Sequence, residues 1–460
     1  MIRSFLFVLF IVIGSHLFSQ STNVKINVQG LADSTAIIGY HFGSQRLIYD
    51  TLDVVDGSIP LQSDKMLPKG LYFIYTPDFY AEFVLNEPSF EISFSKEQPY
   101  YNFDSKGSLE NELFSDFQSR LGQLQKQQRA LSEQVKTLSG DDSVRVMDEL
   151  KIVSEQIQNY QDSLIKNNPE TFIASFIKLM RGKQVPDFEE IEDSEERKKA
   201  KYNFLKNTYF DDLIVVEMMR TPVIHQYVMR YFNDLVLPRP DTIIKEIDQF
   251  MTRIEEDEPT FRYWLVTFFN KYQESKMMGM DAVTAHLVEN YYLTDKVDWM
   301  SAESKEEMRK ELQFIKPNLI GKKAPPLTLE DTLGNVVSLE DFEETYLVLY
   351  FYDPDCGICK KKTPILKKDY SSLQEENAEV LAVCSITDTS KWKEYVSEND
   401  LNWVNLADPS VKSNFRAYYN VRSTPQLYIL DEERKIIAKK LDVNQVLDFI
   451  RDHKRIYSDD

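Results

Sequence analysis

The spacing of apolar residues changes twice along this chain. After residue 20, Val24, Ile26 and Val28 alternate with polar residues, and later short apolar runs are separated by turn sequences such as Asp56-Gly57. A period of two is typical of strands with one buried face, and short strands at this spacing indicate a sandwich or a barrel. Residues 21–107 are therefore predicted to form a β domain. Its predicted strands include residues 36–40, 71–75, 82–85 and 90–94.

From residue 121 to residue 164 the apolar positions instead step by three and four. This period predicts two helices, and Gly140-Asp141-Asp142 predicts the turn between them. A short coiled-coil stalk and a pair of amphipathic helices in a bundle both fit the pattern. Because the pattern stays helical to about residue 315, residues 108–315 are predicted to form an all-α domain.

After Pro317 the pattern changes again. Two apolar runs of strand length, residues 347–352 and 380–385, precede a predicted helix over 390–399. A hairpin is then predicted over residues 426–439, and a final helix over 443–452. Strands that alternate with helices are typical of an α/β fold. Residues 316–460 are therefore predicted to form a third domain, so the chain is a multi-domain protein.

The first residues predict export. Arg3 precedes an apolar run over residues 5–13, which Gly14 and Ser15 interrupt. Such a run is short for a membrane span and is typical of a secretory signal peptide, here residues 1–20. An uncleaved membrane anchor is the alternative. The sequence thus predicts a location in the periplasm or cell envelope.

The net charge of −20 bears on partners. Nucleic acid and anionic membrane surfaces both need a basic face, so neither is expected as the main partner.

The cysteines are concentrated near the end of the chain. Cys356, Cys359 and Cys384 are the 3 cysteines in 460 residues. A secreted protein stapled by disulfides would distribute its cysteines more widely, so this clustering favours one local redox or metal site. Cys384 falls in the predicted strand 380–385 and is expected to be a buried structural thiol.

Cys356 and Cys359 have the spacing of a redox pair, C-x-x-C, where a strand ends and a helix begins. A cysteine at a helix N-terminus is favoured as a thiolate, and a second thiol one turn later can resolve a mixed disulfide. Zinc would need four ligands, and no second pair is present. A structural disulfide is a further alternative. No glycine-rich nucleotide loop is visible, so no cofactor is expected.

Several stretches resemble one family. The residues are 320–325, the strand that leads into Cys356-Gly357-Ile358-Cys359, Pro364 five residues later, and Ser423-Thr424-Pro425 before a strand. With these residues, 316–460 resembles the TlpA/ResA-like branch of the thioredoxins, which are envelope thiol–disulfide oxidoreductases with an α/β thioredoxin fold. The resemblance implies that Cys356 is the exposed nucleophile and Cys359 the resolving thiol. It also implies that Thr424 and Pro425 form a cis-proline loop that holds the substrate strand.

The upstream regions resemble companion domains that precede such thioredoxins. The resembling stretches are residues 107–111, 219–222 and 278–283. These stretches imply that companion domains are present, and they imply no catalytic or binding role for those domains.

Four features depart from the family pattern. The dipeptide between the two cysteines is Gly357-Ile358, where Gly-Pro or Glu-Pro is commoner. Asp355 stands where thioredoxins usually have tryptophan, Lys362 where this branch often has glutamate, and Tyr350 aligns near the buried aspartate of thioredoxin. The carboxylates that usually assist proton transfer are therefore replaced, which affects the expected rate and redox potential.

The predicted function is disulfide exchange with partner proteins. Electrons would come from, or go to, a separate thiol reductant or oxidant rather than a small-molecule cofactor. One alternative is a non-catalytic binding or assembly protein that uses residues 21–315. A thiol peroxidase is a further alternative, although the related peroxiredoxins place threonine where Asp353 stands, three residues before Cys356.

Overall fold

The computed structural model describes residues 21–97 and 103–457, and the predicted signal peptide lies outside this range. The chain divides into two compact units, one ending at Leu235 and the other beginning at Val236. The predicted domain boundaries at 107/108 and 315/316 stay predictions. None of the helices in the described residues combines the length and apolar character needed to span a bilayer.

The first unit begins with two β-sheets. Their strand orders are β4–β1–β7–β8 and β3–β2–β5–β6. The strands are β1 (Thr22–Gln29), β2 (Ser34–Phe42), β3 (Gln45–Val54), β4 (Ser58–Ser63), β5 (Gly70–Thr76), β6 (Phe79–Leu85), β7 (Ser89–Ser95) and β8 (Asp104–Lys106). Side chains of β1 alternate between buried and exposed, which is the pattern that the sequence predicts for this strand.

A helical segment completes the first unit. Its helices are α1 (Leu109–Thr137), α2 (Asp141–Asn167), α3 (Phe172–Arg181), α4 (Ser194–Thr208), α5 (Val215–Met218) and α6 (Ile224–Arg230), which continues into a π-helical turn at Tyr231–Leu235. The predicted hairpin is confirmed, because α1 and α2 pack together through buried Leu124, Leu131, Val146 and Val153.

The second unit begins with more helices. They are α7 (Pro240–Thr252), α8 (Glu258–Gln273), α9 (Asp281–Leu287), which continues into a π-helical turn at Val288–Tyr292, and α10 (Ala302–Ile315). Large apolar side chains such as Phe250, Trp264 and Phe268 are fully buried among them. The predicted helical character of this stretch is therefore confirmed.

An α/β sheet forms the rest of the second unit. The sheet has the order β10–β9–β13–β12–β11–β14–β15. The elements are β9 (Thr328–Asp331), β10 (Val336–Ser338), β11 (Tyr346–Tyr352), α11 (Gly357–Glu375), β12 (Ala378–Cys384), α12 (Thr389–Glu398), β13 (Val404–Ala407), α13 (Phe415–Tyr418), β14 (Gln426–Leu430), β15 (Ile436–Lys439) and α14 (Val446–Tyr457).

Helices cover both faces of this sheet. Leu366, Trp392 and Ile450, from three helices, belong to the buried cluster on one face. Phe415 and Tyr419 belong to the cluster on the other face. The thioredoxin-like fold predicted for this part of the chain is confirmed. The predicted element order lacks the short strands β9, β10 and β13.

Candidate functional site

The redox pair lies where β11, an interior strand of the sheet, ends. β11 is buried along its whole length, between the parallel strand β12 and the antiparallel strand β14. A tight turn follows, in which the backbone N–H of Asp355 donates to Asp353 Oδ1 at 2.7 Å. The N–H of Cys356 donates to the Asp353 carbonyl oxygen at 3.1 Å. This turn places Cys356 at the N-cap of α11.

The environment of Cys356 favours its thiolate. Its sulfur accepts a hydrogen bond from the backbone N–H of Cys359, with an N–Sγ distance of 3.3 Å. Burial alone would raise the pKa of Cys356, but hydrogen bonds from Cys359, from the side chain of Thr424 and from the backbone of Ile358 outweigh it. The pKa of Cys356 is therefore lowered, as expected for a thiol at a helix N-terminus.

Cys359 has the opposite environment. It lies one helical turn inside α11 and is fully buried, whereas Cys356 is partly exposed. Burial, followed by its hydrogen bond with Cys356, raises the pKa of Cys359 to about 11. One thiol of the pair is thus accessible and readily ionised, and the other is sheltered and protonated at neutral pH.

The structure places the predicted cis-proline loop, Thr424-Pro425, beside the redox pair. The Thr424–Pro425 peptide bond is cis. The sulfur of Cys356 lies 3.3 Å from the carbonyl oxygen of Thr424, close enough for the thiol to donate a hydrogen bond to it. This approach follows from the sheet, because β14 begins at Gln426 and pairs there with Phe351 of β11. The four residues predicted from the sequence therefore lie at one place.

The charged residues Asp355 and Lys362, near the redox pair, each form an ion pair with another side chain. Asp355 forms an ion pair with Lys391 on α12, and this bond lowers the pKa of the Asp355 carboxyl. Lys362 forms an ion pair with Asp442. Ile358, between the two cysteines, is 58 % exposed and presents an apolar surface beside the Cys356 sulfur.

Cys384 stands apart from this chemistry. It is fully buried in β12, where it pairs with Tyr352 of β11. Burial raises its pKa to about 12. The predicted burial of this thiol is confirmed.

Sequence reasoning did not identify a group of buried hydroxyls below the pair. Thr363 Oγ1 lies 3.1 Å from the hydroxyl of Tyr350 and 3.4 Å from that of Tyr395. Thr363 follows Cys359 by four residues on α11, a spacing that places two side chains on the same helix face. This four-residue spacing from Cys359 is the signal in the sequence that could have identified Thr363. The other two hydroxyls come from different elements, β11 and α12, so no local spacing relates them to Cys359.

Comparisons with known proteins support the resemblance. The sequence model of the AhpC/TSA family matches residues 320–439. The chain is 34% identical over 119 residues to thioredoxin-like protein YneN of Bacillus subtilis, covering 25% of this chain and 66% of that protein. It is 26% identical over 120 residues to thiol-disulfide oxidoreductase ResA of Bacillus cereus, covering 26% of this chain and 68% of that protein.

A third relative is named as a peroxiredoxin rather than as a thioredoxin-like protein or a thiol-disulfide oxidoreductase. The chain is 28% identical over 134 residues to peroxiredoxin Bcp of Bacillus subtilis, covering 26% of this chain and 83% of that protein. The matches to YneN and ResA span about two thirds of those two proteins, and all three cover about a quarter of this chain. The C-terminal part of this chain thus matches a TlpA/ResA-like protein of the thioredoxin family, and the enzyme is a thiol–disulfide oxidoreductase.

Proposed function

We propose that Cys356 and Cys359 exchange disulfides with partner proteins. The Cys356 thiolate attacks one sulfur of a partner disulfide, forms a mixed disulfide and releases the other partner sulfur as a thiolate. Cys359 loses its proton and attacks the Cys356 sulfur, which forms the Cys356–Cys359 disulfide and releases the second partner sulfur. The partner gains two electrons, and a separate thiol protein returns the pair to its reduced form. The same steps in reverse would oxidise a partner.

One observation carries this proposal. The partly exposed sulfur of Cys356 accepts the helix N-terminal N–H of Cys359, and Cys359 itself is fully buried. A partner sulfur can reach only the first thiol, and the second can act only after the first has reacted. This asymmetry is what a nucleophilic and a resolving cysteine need.

Thr424 and Pro425 would hold the partner chain. The Thr424 carbonyl oxygen lies beside the Cys356 sulfur, and both residues are partly exposed. An extended segment that places its cysteine on Cys356 would be able to pair with the Thr424 backbone, as peptides add to exposed sheet edges. The proposed substrates are therefore cysteines in extended protein segments.

The proposed setting is the cell envelope. A signal peptide over residues 1–20 would export the chain, and an oxidising compartment is where disulfide exchange between proteins has substrates. Residues 21–107 and 108–315 are proposed to form the β and helical companion domains of the C-terminal thioredoxin-like domain.

Trapping with Cys359→Ala tests the proposal. Without the resolving thiol, the mixed disulfide on Cys356 should persist, so incubation with a disulfide-containing protein should give a covalent adduct that a reductant releases. Mass spectrometry would locate the adduct on Cys356. Cys356→Ala should give no adduct, and the matched variant Cys384→Ala should behave like the wild-type chain.

Two outcomes would contradict the proposal. Absence of an adduct with Cys359→Ala would favour a non-catalytic binding protein that uses residues 21–315.

The similarity to peroxiredoxin Bcp makes a thiol peroxidase the second candidate. Thiol-dependent reduction of hydrogen peroxide faster than that of protein disulfides would favour it.

A further inference from the structure

The buried thiol of the pair has to release a proton before it can act. A thiolate, not a thiol, is the nucleophile in disulfide exchange. Cys359 is fully buried, and burial holds its pKa at about 11. Its proton therefore needs a path out of the interior at the moment when Cys359 attacks the mixed disulfide.

A chain of hydroxyls lies close to Cys359, which interacts electrostatically with Tyr350 and Tyr395. Tyr350, Thr363 and Cys359 are 0–1% exposed, and Tyr350 and Cys359 belong to the same buried cluster. Thr363 lies one turn after Cys359, and its Oγ1 contacts the hydroxyls of Tyr350 and Tyr395 at 3.1 Å and 3.4 Å. A hydroxyl can accept one proton while it donates another, so such a chain can pass a proton along its length.

The chain of hydroxyls ends at Tyr395, near the protein surface. Tyr395 is 8% exposed and lines a polar surface cavity next to the redox turn. The cavity is also lined by Asp355, Lys391, Glu394 and Glu398. Carboxylates and water at this cavity can accept a proton that arrives through Tyr395.

The aromatic rings are held in place. Tyr350 stacks on Tyr352 with ring centres 5.8 Å apart and planes at 6°, and Tyr352 lies 5.5 Å from the ring of Tyr395. Burial raises the pKa of Tyr350 and of Tyr395. Each phenol therefore keeps its own proton at neutral pH and can only pass one on as it receives one.

The other groups that face Cys359 do not offer this path. Cys356 is the mixed disulfide at that stage, Cys384 is a buried thiol with a raised pKa, and the contact from Asp353 is through its backbone. The side chain of Thr424 also hydrogen-bonds with Cys359, but in the proposed function the partner segment pairs with this residue in the mixed disulfide. Lys362, where the family often has glutamate, forms an ion pair with Asp442.

We propose that Thr363, Tyr350 and Tyr395 form a proton path that carries the proton of Cys359 to the surface cavity during resolution. This inference rests on the proposed function. In the step, the Cys359 sulfur forms a bond with the Cys356 sulfur, the bond from Cys356 to the partner breaks, and the partner leaves as a thiolate. The proton of Cys359 moves through the hydroxyls to water. These three are positioning residues, which act on the reaction through Cys359.

The test compares Thr363→Val with Thr363→Ser in the full chain. An aromatic disulfide that releases a coloured thiolate gives two phases, the first from attack by Cys356 and the second from resolution by Cys359. Thr363→Val should slow the second phase relative to the first by roughly tenfold or more near pH 7, because the proton of Cys359 loses its positioned relay. The slowing should become smaller as the pH rises and hydroxide can take the proton, which shifts the pH profile of the second phase upward. Thr363→Ser keeps the hydroxyl and should stay within about twofold of the wild-type chain.

Tyr395→Phe is the second variant, because it keeps the ring and removes only the last hydroxyl. It should shift the second-phase profile in the same direction. Coincident profiles for the wild-type chain, Thr363→Val and Tyr395→Phe would overturn the proton path. Equal slowing by Thr363→Val and Thr363→Ser would do the same, since packing would then explain the effect. A wild-type chain that gives no first phase would instead contradict the proposed function.

Discussion

Cys356 and Cys359 lie three residues apart and differ in almost every physical property that matters to a thiol. The first accepts a helix N-terminal N–H and is partly exposed, whereas the second is fully buried. The helix separates them by one turn, which is enough to move from its positive end to the interior of the domain. Two identical side chains can therefore take two different roles.

This difference predicts which thiol reacts with a small alkylating agent. In the reduced native chain, iodoacetamide should modify Cys356 selectively, because its lowered pKa leaves more thiolate than in a free cysteine. The rate should rise with pH through an apparent pKa below the usual value of about 8.5. Cys359 and Cys384, with pKa values of about 11 and about 12, should stay unmodified.

Mass spectrometry of the alkylated chain between about pH 5 and pH 9 gives this profile. Cys356→Ser is the control and should abolish modification of the native chain, while alkylation after unfolding should still label the remaining cysteines. Preferential labelling of Cys359, or an apparent pKa of Cys356 above that of a free cysteine, would contradict the prediction.

At the site, the sequence predicts which residues take part better than it predicts the combined effect of the nearby charges. The C-x-x-C pair and the Thr424-Pro425 loop follow from local motifs. The effect of the nearby charges does not, because the partners of Lys362 and Asp355 are 80 and 36 residues away along the chain. The hydroxyl chain was missed for the same reason, since Tyr350, Thr363 and Tyr395 come from three different elements.

At the scale of elements, prediction succeeds where one face of a strand or helix is buried. β1 alternates clearly, and its pattern predicts the strand. β3 is exposed on both faces along most of its length, so its sequence carries no alternation to detect. β13 has only 4 residues, which is too short for a period to be recognised. Tertiary pairing, rather than local pattern, makes these two segments strands.

The stretch 107–111, which marks the predicted end of the β domain, joins three elements of the first unit. Ser108 is the N-cap of α1. The side chain of Asn111 donates to the Val84 carbonyl oxygen at 2.7 Å and accepts from the Val84 N–H at 2.9 Å. The Glu110 carboxylate accepts the N–H groups of Phe172 and Ile173 at the start of α3. Buried side chains thus satisfy backbone groups that would otherwise lack partners.

Asn111→Ala should therefore destabilise the first unit. The substitution leaves the N–H and the carbonyl of Val84 without this buried partner, and we expect a loss of about 2–4 kcal/mol in the free energy of unfolding. Urea denaturation followed by circular dichroism measures the change. Glu112→Ala, on the exposed side of the same helical turn, is the matched control and should change the stability by no more than about 0.5 kcal/mol. A similar small change for Asn111→Ala would contradict the assigned role.

At the scale of the whole molecule, the second unit joins helices and sheet into one body. Lys439 of β15 is 1% exposed, and its ammonium group donates to the carbonyl and side-chain oxygens of Asn318 at 2.8 Å and 3.0 Å. It also forms an ion pair with Asp281 at the start of α9. The stretch 278–283, conspicuous in the sequence, therefore contacts the thioredoxin-like sheet. The sequence could not predict this pair, because an isolated lysine and aspartate usually lie at the surface.

Asp281→Asn should destabilise the helices and the sheet of the second unit together. Removing one member of a buried pair leaves an uncompensated charge, and the expected loss is about 3–5 kcal/mol. Chemical denaturation should show one transition shifted to lower denaturant, whether it is followed through a probe in α7–α10 or through one in the sheet. Glu306→Gln breaks the exposed pair with Arg309 and should cost about 1 kcal/mol or less.

A double variant separates the charge from the packing. If the unpaired lysine causes the loss, Lys439→Met combined with Asp281→Asn should be more stable than Asp281→Asn alone, because methionine has a similar shape and no charge to desolvate. If the double variant is no more stable, the contacts of Asp281 other than the ion pair carry the effect. A shift confined to the helices would mean that the sheet folds independently of them, which would support the predicted boundary at 315/316.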